Sequence, residues 1–550
     1  MLDLRHAKRV AVIGGGLTGW FAALMLRRVF SPNVEIFVFE DPDLPPFSRG
    51  AGSLNSFLAA LQRAAVDIND FVEETGATFK MGYAYRGWRE GGNNDVYYDL
   101  FPAANNHIEE LDFSFRGVWP YLAMRIATKT PFHTIFPGFS LIEGASSQVE
   151  ARAVFNLQRS GIQPTFHFSV GKVTEYLRQL GLSQQIMTRA QKVEDFVIAE
   201  NGDVVALNLH GGDEVSVDFV IDASGFSRFA FGRKYKAKWR SFAAGLLQDR
   251  ALSFVMQNQA SNPGFLTQAI ALNDGYLWQV PLREQTSATY VFSSKHSDEG
   301  RAKEELQTRF GFAINPETVL SFEPGNFEKI WINNVVALGT ASGFIEPLEE
   351  TSLSQTLQQL VELEKTFVDC HGIIGNHTVE AFNYANQQSF NEIADYVRMH
   401  YDGGRRDTIF WRDANSAHRS DAYQAMKACF SQRLPRIIDI DSYVIGWRPL
   451  FHLLNWLFVA APLGIVSTEA ALGELNYLPP QIRQRMEQYG AELIRTRTSN
   501  NFTQGGADFE PYQNYSGTSH SYFQPEIEKN ASSSQTEFAQ DEGGFSATYR

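Results

Sequence analysis

The stretch Val10-Ala11-Val12-Ile13-Gly14-Gly15-Gly16-Leu17-Thr18-Gly19 decides the fold of this chain. Its first four residues are apolar and predict a buried strand that ends in a glycine-rich turn. Gly14 allows the tight turn, Gly16 lets the backbone approach a pyrophosphate, and Gly19 permits close packing of helix against strand. Trp20 to Val29 has the pattern of a helix, whose N-terminus attracts negative charge.

A second strand and an acidic residue complete this unit. Val34 to Glu40 predicts a strand, and Glu40 lies 21 residues beyond Gly19, where a carboxylate accepts a ribose hydroxyl. We expect Leu17 and Thr18 to contact the same ligand. The glycine motif alone is weak evidence, but strand, turn, helix, strand and acid agree on dinucleotide binding. The unit by itself does not separate FAD from NAD.

Two later apolar runs extend the same module. Val217 to Ile221 leads into Asp222 and Gly225, and Val335 to Leu338 leads into Gly339. The carboxyl ends of parallel strands meet at one crevice, so these turns are expected beside the same ligand. The predicted fold is α/β. A Rossmann-like module from roughly residues 1–60, 160–235 and 330–370 is interleaved with a substrate-facing layer, and a helical C-terminal part completes one catalytic unit over 1–495.

Composition excludes several classes of partner. The net charge of −14 disfavours nucleic acid. Cys370 and Cys429 have no metal-ligand spacing, so we expect neither a metal site nor a disulfide framework, and two lone thiols suit a reducing compartment. The longest apolar stretch, Leu450 to Val466, is shorter than the ~20 residues of a spanning helix and is interpreted as core or substrate-facing wall. We expect a cytoplasmic protein without a membrane partner.

The segment after about Thr496 has a different composition. Residues 496–550 contain no Leu, Val or Met and are rich in Ser, Asn, Gln and Gly, so they cannot bury enough apolar surface to fold alone. They also carry nine Phe or Tyr residues. Two interpretations stay open: an unpacked tail, and a segment that docks onto the body or onto a neighbouring subunit of a homo-oligomer.

Residues 14 to 20, Gly-Gly-Gly-Leu-Thr-Gly-Trp, resemble the opening of the flavin-dependent tryptophan halogenases and their relatives. Further segments match the same group in the same order, over about residues 8 to 415: Thr78-Phe79-Lys80, Phe166-His167-Phe168, Ile221-Asp222-Ala223-Ser224-Gly225-Phe226, Tyr276-Leu277-Trp278-Gln279-Val280-Pro281, Glu346-Pro347-Leu348-Glu349-Glu350-Thr351-Ser352 and Asp407-Thr408-Ile409-Phe410-Trp411-Arg412.

The resemblance implies a cofactor, partners and a reaction. FAD is used as FADH2, which a separate flavin reductase supplies, because only one dinucleotide fingerprint is found. With dioxygen and halide the enzyme forms hypohalous acid, which halogenates an electron-rich aromatic compound of the indole, phenol or pyrrole type. Bromide and iodide are favoured over chloride because they are easier to oxidise. Gly50, Ala51, Gly339 and Ile345 are expected beside the FAD.

Lys80 and Glu349 are the expected catalytic residues. The resemblance implies that Lys80 carries or polarises the hypohalous acid, and burial would lower its pKa and make the neutral amine accessible. Sequence alone predicts an ordinary solvent-facing strand lysine. By the same resemblance Glu349 accepts the proton from the halogenated ring. Its alternative role is to cap the helix that follows.

The resemblance also implies a halide site and an aromatic wall. Thr351 and Ser352 are expected to bind halide at the start of an amphipathic helix, which either of them can cap. Tyr276 and Trp278, on one face of a strand that ends at Pro281, are expected to separate flavin from substrate. The family reads WxWxIP here and often has glycine where this chain has Ser352. Plain core is the alternative for both aromatic residues.

A further departure lies at the flavin strap, which relatives often read as GVGEAT. Here a loop is expected at Gly50-Ala51-Gly52-Ser53-Leu54-Asn55, which keeps the glycines and lacks the acid. His167 is interpreted as a satisfied core histidine. Two other functions stay open: a flavin-dependent aromatic monooxygenase, which Lys80 and the run around Glu349 disfavour, and a regulatory flavoprotein without chemistry.

Overall fold

The computed structural model of the chain describes residues 1–44, 49–92, 94–101, 119–135, 137–144, 146–156, 165–258, 263–440, 443 and 446–481. The aromatic segment 496–550 lies outside these residues. The expected division of the chain near residue 495 therefore stays a prediction.

The decisive strand, Arg9–Ile13, lies inside a six-stranded sheet, here called the parallel sheet. Its strand order is Trp331–Ile332, Val335–Ala337, Phe219–Asp222, Arg9–Ile13, Glu35–Phe39 and Met187–Arg189. All neighbours pair in parallel except the antiparallel edge strand Trp331–Ile332. Ile13, Asp222 and Ala337 are in register, so the predicted convergence of three strand ends is confirmed.

Buried apolar side chains explain why these runs form central strands. Val10, Val12 and Val220 are fully buried, as expected where helices cover the faces of a parallel sheet. Helix Leu17–Val29 contacts helices Val170–Ser183 and Thr351–Asp369. The β-α-β opening predicted from the glycine motif is therefore present.

A seven-stranded sheet, here called the large sheet, forms the second layer. Its order is Thr318–Ser321, Arg250–Gln257, Gln285–Phe292, Gly275–Pro281, Leu266–Ala271, Gly82–Arg86 and Val96–Leu100. Its pairs are antiparallel except Leu266–Ala271 with Gly82–Arg86. The strands come from the segments that were expected to form the substrate-facing layer.

A three-stranded antiparallel sheet supplies the strand of Lys80. Strand Thr165–Ser169 pairs with Gly50–Gly52 on one side and Thr78–Lys80 on the other. The expectation of a loop at residues 50–52 was wrong, because the backbone there forms a ladder with Thr165–Ser169. Glycine fits here because a Cβ at Gly50 would lie 2.6 Å from the Ser287 side chain.

Smaller sheets and the helices complete the described structure. The sheets are Val193–Ile198 with Val204–Leu209 and Glu214–Ser216, Trp239–Ser241 with Gly325–Phe327 and Gly343–Phe344, and Leu2–Asp3 with Ile373–Ile374. The remaining α-helices are Asn55–Arg63, Ile68–Thr75, Trp119–Ala127, Pro137–Glu143, Gln148–Asn156, Glu299–Phe310, Asn376–His400, Ile409–Ser416, Asp421–Phe430, Ile437–Ile440, Leu453–Ala460 and Thr468–Tyr477.

The apolar stretch near the C-terminus belongs to the core. Helix Leu453–Ala460 is eight residues long, and Trp456 and Leu457 in it are fully buried. None of the helices in the described part of the chain combines the length and the apolar character needed to cross a bilayer.

Candidate active site

The glycine turn has the geometry of a phosphate cradle. Gly14 has φ +112°, and a Cβ there would lie 2.4 Å from the carbonyl oxygen of Ala223. A Cβ at Gly19 would lie 1.9 Å from the carbonyl oxygen of Gly14. Both positions therefore require glycine. Gly16 differs, because a Cβ there would meet nothing within 4 Å, so its missing side chain leaves open space for a ligand.

The start of helix Leu17–Val29 faces the same space. Gly16 is its N-cap and no side chain caps the helix, so N–H groups of the first turn are available to an anion. Glu40 follows strand Glu35–Phe39, and a Cβ at Gly15 would lie 2.5 Å from its Oε1 atom. The open backbone cradle and the adjacent carboxylate together fit the pyrophosphate and ribose of FAD.

The turn at Gly339 brings distant sequence to this cradle. Gly339 has φ +60°, and a Cβ there would lie 2.7 Å from the Thr18 hydroxyl oxygen. A small cavity beside the turn is lined in part by Gly339, Ile345, Thr351 and Ser352. Two of the expected flavin neighbours, Gly339 and Ile345, therefore share one cavity with the expected halide residues.

The helix that follows begins differently from the prediction. Thr351 and Ser352 are the first two residues of helix Thr351–Asp369, and its N-cap is Glu350, whose side chain makes no capping hydrogen bond. The expectation that Thr351 or Ser352 caps the helix was wrong, because both have already entered it. The uncapped first turn, next to the cavity, leaves N–H groups for a halide ion.

Lys80 is fully buried, so the ordinary expectation of a solvent-facing strand lysine does not hold. Its Nζ atom forms an ion pair with Glu350 and donates a hydrogen bond to the carbonyl oxygen of Ser53 at 3.2 Å. The same atom lies 3.8 Å from the centroid of the Tyr83 ring and 5.2 Å from that of Phe101. The amine is therefore held among aromatic faces and one carboxylate.

Burial sets the protonation of this ion pair. It lowers the pKa of Lys80, against the opposing effect of Glu350, and it raises the pKa of Glu350, against the opposing effect of Lys80. Both shifts favour the neutral amine and the neutral acid. The geometry thus provides a route by which the lysine proton moves to Glu350.

Glu349 lies beside a different group. Its Oε1 atom is 3.1 Å from Nε2 of His400, and both residues are buried. Nδ1 of His400 must donate to the carbonyl oxygen of Tyr396 at 3.0 Å, because a carbonyl only accepts. Nε2 and Glu349 therefore hold one proton between them, and Glu349 belongs to a carboxyl–imidazole pair.

The aromatic wall contacts Leu348, which directly precedes the two glutamates, and Tyr83, which packs against Lys80. Tyr276 and Trp278 are buried on strand Gly275–Pro281, with ring centroids 6.3 Å apart. The N–H of Leu348 donates a hydrogen bond to the Tyr276 hydroxyl oxygen at 3.0 Å. The ring centroids of Trp278 and Tyr83 lie 5.6 Å apart. A tryptophan at 276 has a donor only, so tyrosine is the residue that can accept this hydrogen bond.

His167 extends the lysine cluster. It is fully buried, and its Nε2 atom lies 2.9 Å from the hydroxyl oxygen of Thr267, whose hydroxyl lies 3.4 Å from Oε1 of Glu350. Burial lowers its pKa well below the usual range, with a smaller effect from Lys80. Nδ1 has no hydrogen-bond partner in the described structure. The sequence suggested a core histidine with both ring nitrogens hydrogen-bonded. In the described structure only Nε2 of His167 has a hydrogen-bond partner.

Sequence reasoning missed three residues of this site: Glu350, Thr267 and His400. Glu350 had a signal, because it directly follows Glu349 and only one of two adjacent acids was given a role. Thr267 and His400 had none, since their strand and helix reach the site through contacts between segments far apart in the chain.

Known proteins are similar to this chain in sequence and in fold. The tryptophan halogenase family model matches residues 9–473. The uncharacterized protein y4xG of Sinorhizobium fredii is 40% identical, covering 92% of this chain and 99% of that protein. Tryptophan 7-halogenase RebH of Lentzea aerocolonigenes is 24% identical, covering 89% and 95%.

The crystal structure of a tryptophan halogenase from Shewanella frigidimarina has the same fold. Its TM-score is 0.78 at 21% identity, covering 90% of this chain and 95% of that one. The family match extends over all of the residues that form the cradle, the cavity and the lysine cluster. The chain therefore belongs to the tryptophan halogenase family of flavin-dependent enzymes that halogenate aromatic compounds.

Proposed function

We propose that this protein is a two-component halogenase that uses FADH2 from a separate flavin reductase and transfers halogen to an electron-rich aromatic compound through Lys80. The observation that carries the proposal is the full burial of Lys80 against Glu350 and Tyr83. Without a function, a buried amine of this kind would only cost desolvation free energy. When FADH2 is bound, its reaction with dioxygen would supply the oxidising power that converts halide to hypohalous acid.

The protein's own residues separate and position the reactants. N–H groups at Thr351 and Ser352 hold the halide beside the flavin cavity, while Tyr276 and Trp278 keep the aromatic substrate from the flavin. Lys80 presents the electrophilic halogen, and its proton moves to Glu350. Glu349, held by His400, accepts the proton that leaves the ring carbon. The strands beside the flavin and the aromatic wall also contain Gly50, Ala51 and Pro281.

Substrate and halide are proposed at the level of chemistry. An indole, phenol or pyrrole is suitable because electrophilic halogenation requires an electron-rich ring. Bromide or iodide is preferred over chloride because each is more easily oxidised. Cys370 and Cys429 are unpaired, which suits the reducing cytoplasm proposed as the location.

A halide panel tests the proposal against aromatic hydroxylation. The purified protein, FAD, a flavin reductase and NADH are offered an indole and a phenol with chloride, bromide, iodide or no halide. Mass spectrometry is expected to find products whose mass follows the halide, and none without halide. A hydroxylated product that forms regardless of halide would instead identify a monooxygenase.

A further inference from the structure

Uncharged donors line the small cavity beside the Gly339 turn. Its polar side chains in the described part of the chain are Thr351, Ser352 and Gln355, and its other lining residues are glycine or apolar. The centre of a water molecule can lie within about 10 Å³ of it, which leaves room for one small ion. With no cationic side chain on these described walls, an anion in the cavity has to be held by N–H and O–H groups.

Gln355 has one such N–H group left over. It lies one turn beyond Thr351 in helix Thr351–Asp369 and is only 2% exposed. Its Oε1 atom accepts a hydrogen bond from the Ser389 hydroxyl at 2.7 Å, and its Nε2 atom donates one to Oδ1 of Asn386 at 3.1 Å. The amide nitrogen carries two hydrogens, and the second has no acceptor among the described residues. A buried donor without an acceptor costs free energy, which a ligand that accepts from it would recover.

A series of hydrogen bonds that starts at one backbone N–H fixes the direction of this amide. The N–H of Gly339 donates to Oε1 of Gln359 at 2.9 Å. The Gln359 nitrogen therefore donates, to the Ser342 hydroxyl at 2.8 Å and to Oδ1 of Asn386 at 2.9 Å. The oxygen of Asn386 consequently faces both glutamines, and Gln355 has to present its nitrogen to it. Because a backbone N–H only donates, turning any of these amides over would set donor against donor or acceptor against acceptor.

The same hydrogen bonds join the flavin side of the cavity to Gln355. Gln359 and Asn386 are fully buried, and they connect the Gly339 turn with helix Asn376–His400. Nδ2 of Asn386 is buried without a partner in the described structure, which indicates that the two glutamines, and not its own needs, set its direction. Gln355 is therefore held in one orientation at the cavity wall.

We propose that Gln355 is a halide ligand, whose second amide N–H donates to the ion in this cavity, and that it helps to set halide selectivity. The inference rests on the proposed function and deepens it. An N–H donor binds smaller halides more strongly, because their charge is more concentrated, so Gln355 favours the binding of chloride and bromide over iodide. Ease of oxidation acts in the opposite direction, and the two effects together favour bromide.

Halide binding is measured directly on the FAD-loaded protein. Chloride that exchanges on and off a protein has a broadened NMR signal, and bromide or iodide that competes for the same site narrows it again. Titration with each ion gives the three affinities without any turnover. The unsubstituted protein is expected to bind chloride and bromide more tightly than iodide.

Substitution assigns this preference to Gln355. Gln355→Met keeps the length of the side chain and removes the N–H group. Chloride affinity is expected to fall roughly tenfold to hundredfold, as for the loss of a hydrogen bond to a charged group. Iodide affinity should fall less, so that the ratio of chloride to iodide affinity decreases. Gln358→Met, at a half-buried glutamine of the same helix whose amide bonds Glu362, is the control and should bind like the unsubstituted protein.

The ratio distinguishes a halide ligand from a residue that is needed only for folding. Both affinities are measured in one preparation, so their ratio does not depend on how much of the protein is folded. Flavin absorbance titration reports separately whether the cofactor cradle is intact. An unchanged ratio in Gln355→Met, whatever the melting temperature of that variant, would overturn the proposal.

Halogenation assays separate this proposal from the proposed function. If halogenated products form while Gln355→Met binds chloride and iodide like the unsubstituted protein, the role of Gln355 is wrong and the halogenase function stands. If no compound is halogenated with any halide while the ratio of affinities depends on Gln355, the halogenase function is wrong and the ligand role stands.

Discussion

Lys80 and Glu350 form a buried ion pair, although Glu349 is the residue that the sequence singled out. Both glutamates have left-handed backbone conformations, with φ 63° at Glu349 and φ 54° at Glu350. Such conformations cost free energy in residues other than glycine and cluster at functional sites. Here they send adjacent carboxylates to different partners, Glu350 to Lys80 and Glu349 to His400.

Glu350 also offers an explanation for the altered strap. A Cβ at Gly52 would lie 2.2 Å from Oε1 of Glu350, so glycine leaves room for this carboxylate. The strap lacks the acid that relatives often carry at the position of Ser53. In this chain an acid reaches the strap from Glu350 instead, and it is paired with Lys80.

The first prediction concerns the stability of the ion pair. Lys80→Met keeps the apolar stem and leaves Glu350 without its partner, and we expect it to lower the free energy of unfolding by about 3–5 kcal/mol. The double variant Lys80→Met/Glu350→Gln removes both charges and should recover most of this loss. Urea unfolding of Lys80→Met, of Glu350→Gln and of the double variant measures the coupling. Additive effects would show that the two side chains do not interact.

The second prediction concerns His400, a positioning residue for Glu349. His400→Phe removes both ring nitrogens in a similar shape, so Glu349 loses its partner. We expect kcat for halogenation to fall roughly 100-fold, as for loss of general acid–base assistance, with little change in KM. Release of hypohalous acid, trapped by a reactive dye, should persist. If the amount of trapped hypohalous acid fell as much as halogenation, His400 would instead be required for halide oxidation or for folding.

The third prediction concerns the cofactor cradle. A Cβ at Gly16 meets no protein atom, so Gly16→Ala should leave the melting temperature of the cofactor-free protein unchanged. The added methyl group lies where the pyrophosphate approaches, and FAD affinity should fall by a factor of roughly ten or more, equivalent to about 1.4 kcal/mol. Flavin absorbance titration measures this. Gly473→Ala, another open position, serves as the control, and equal FAD affinity in both variants would contradict the assignment.

The fourth prediction concerns the tyrosine that replaces the family's first wall tryptophan. Tyr276→Phe leaves the buried N–H of Leu348 without an acceptor, at an expected cost of about 1–3 kcal/mol. Tyr276→Trp should cost a similar amount, because indole only donates. Thermal unfolding checks both. A Tyr276→Trp protein as stable as the parent would mean that the hydroxyl does not hold the segment at Leu348.

The fifth prediction concerns pH. Burial raises the pKa of Glu392 from 4.5 to about 8, against the opposing hydrogen bonds from the N–H groups of Phe451 and Leu450. The folded protein therefore keeps a proton that the unfolded chain releases, so the free energy of unfolding falls as pH rises across this interval.

Glu346 adds to this effect, because burial raises its pKa from 4.5 to about 7. Urea unfolding at a series of pH values should show the decline. Glu392→Gln is expected to lower stability at pH 5, because the amide nitrogen cannot accept one of the two hydrogen bonds that the carboxyl oxygens accept from Leu450 and Phe451, and to make the decline shallower. An unchanged slope in this variant would show that Glu392 does not titrate as described.

The parts of this protein that could be predicted from the sequence are those whose structure depends on residues adjacent along the chain. The turn from Gly14 to Gly19 follows from a local pattern of apolar residues and glycines, and so does the helix after it. Lys80 was found only through the family resemblance, because Thr78-Phe79-Lys80 reads as an ordinary strand. Its burial arises from packing by Tyr83 and Glu350.

Other parts depend on the backbone and on distant pairing. The side-chain direction of Glu350 follows from two left-handed residues that no local pattern indicates. Asp99 faces Lys80 because its strand pairs with Gly82–Arg86 in one register, and a shift by one residue would turn it to the other face. His400 reaches Glu349 only through the packing of a long helix.

The most direct test of the central claim is the mass of the aromatic product formed with bromide by three proteins. The unsubstituted protein and Lys172→Met, which removes an exposed lysine, are expected to give a brominated product with the bromine isotope doublet. Lys80→Met/Glu350→Gln should give none while hypohalous acid is still trapped in solution. Full bromination by that double variant would contradict the claim that halogen reaches the substrate through Lys80.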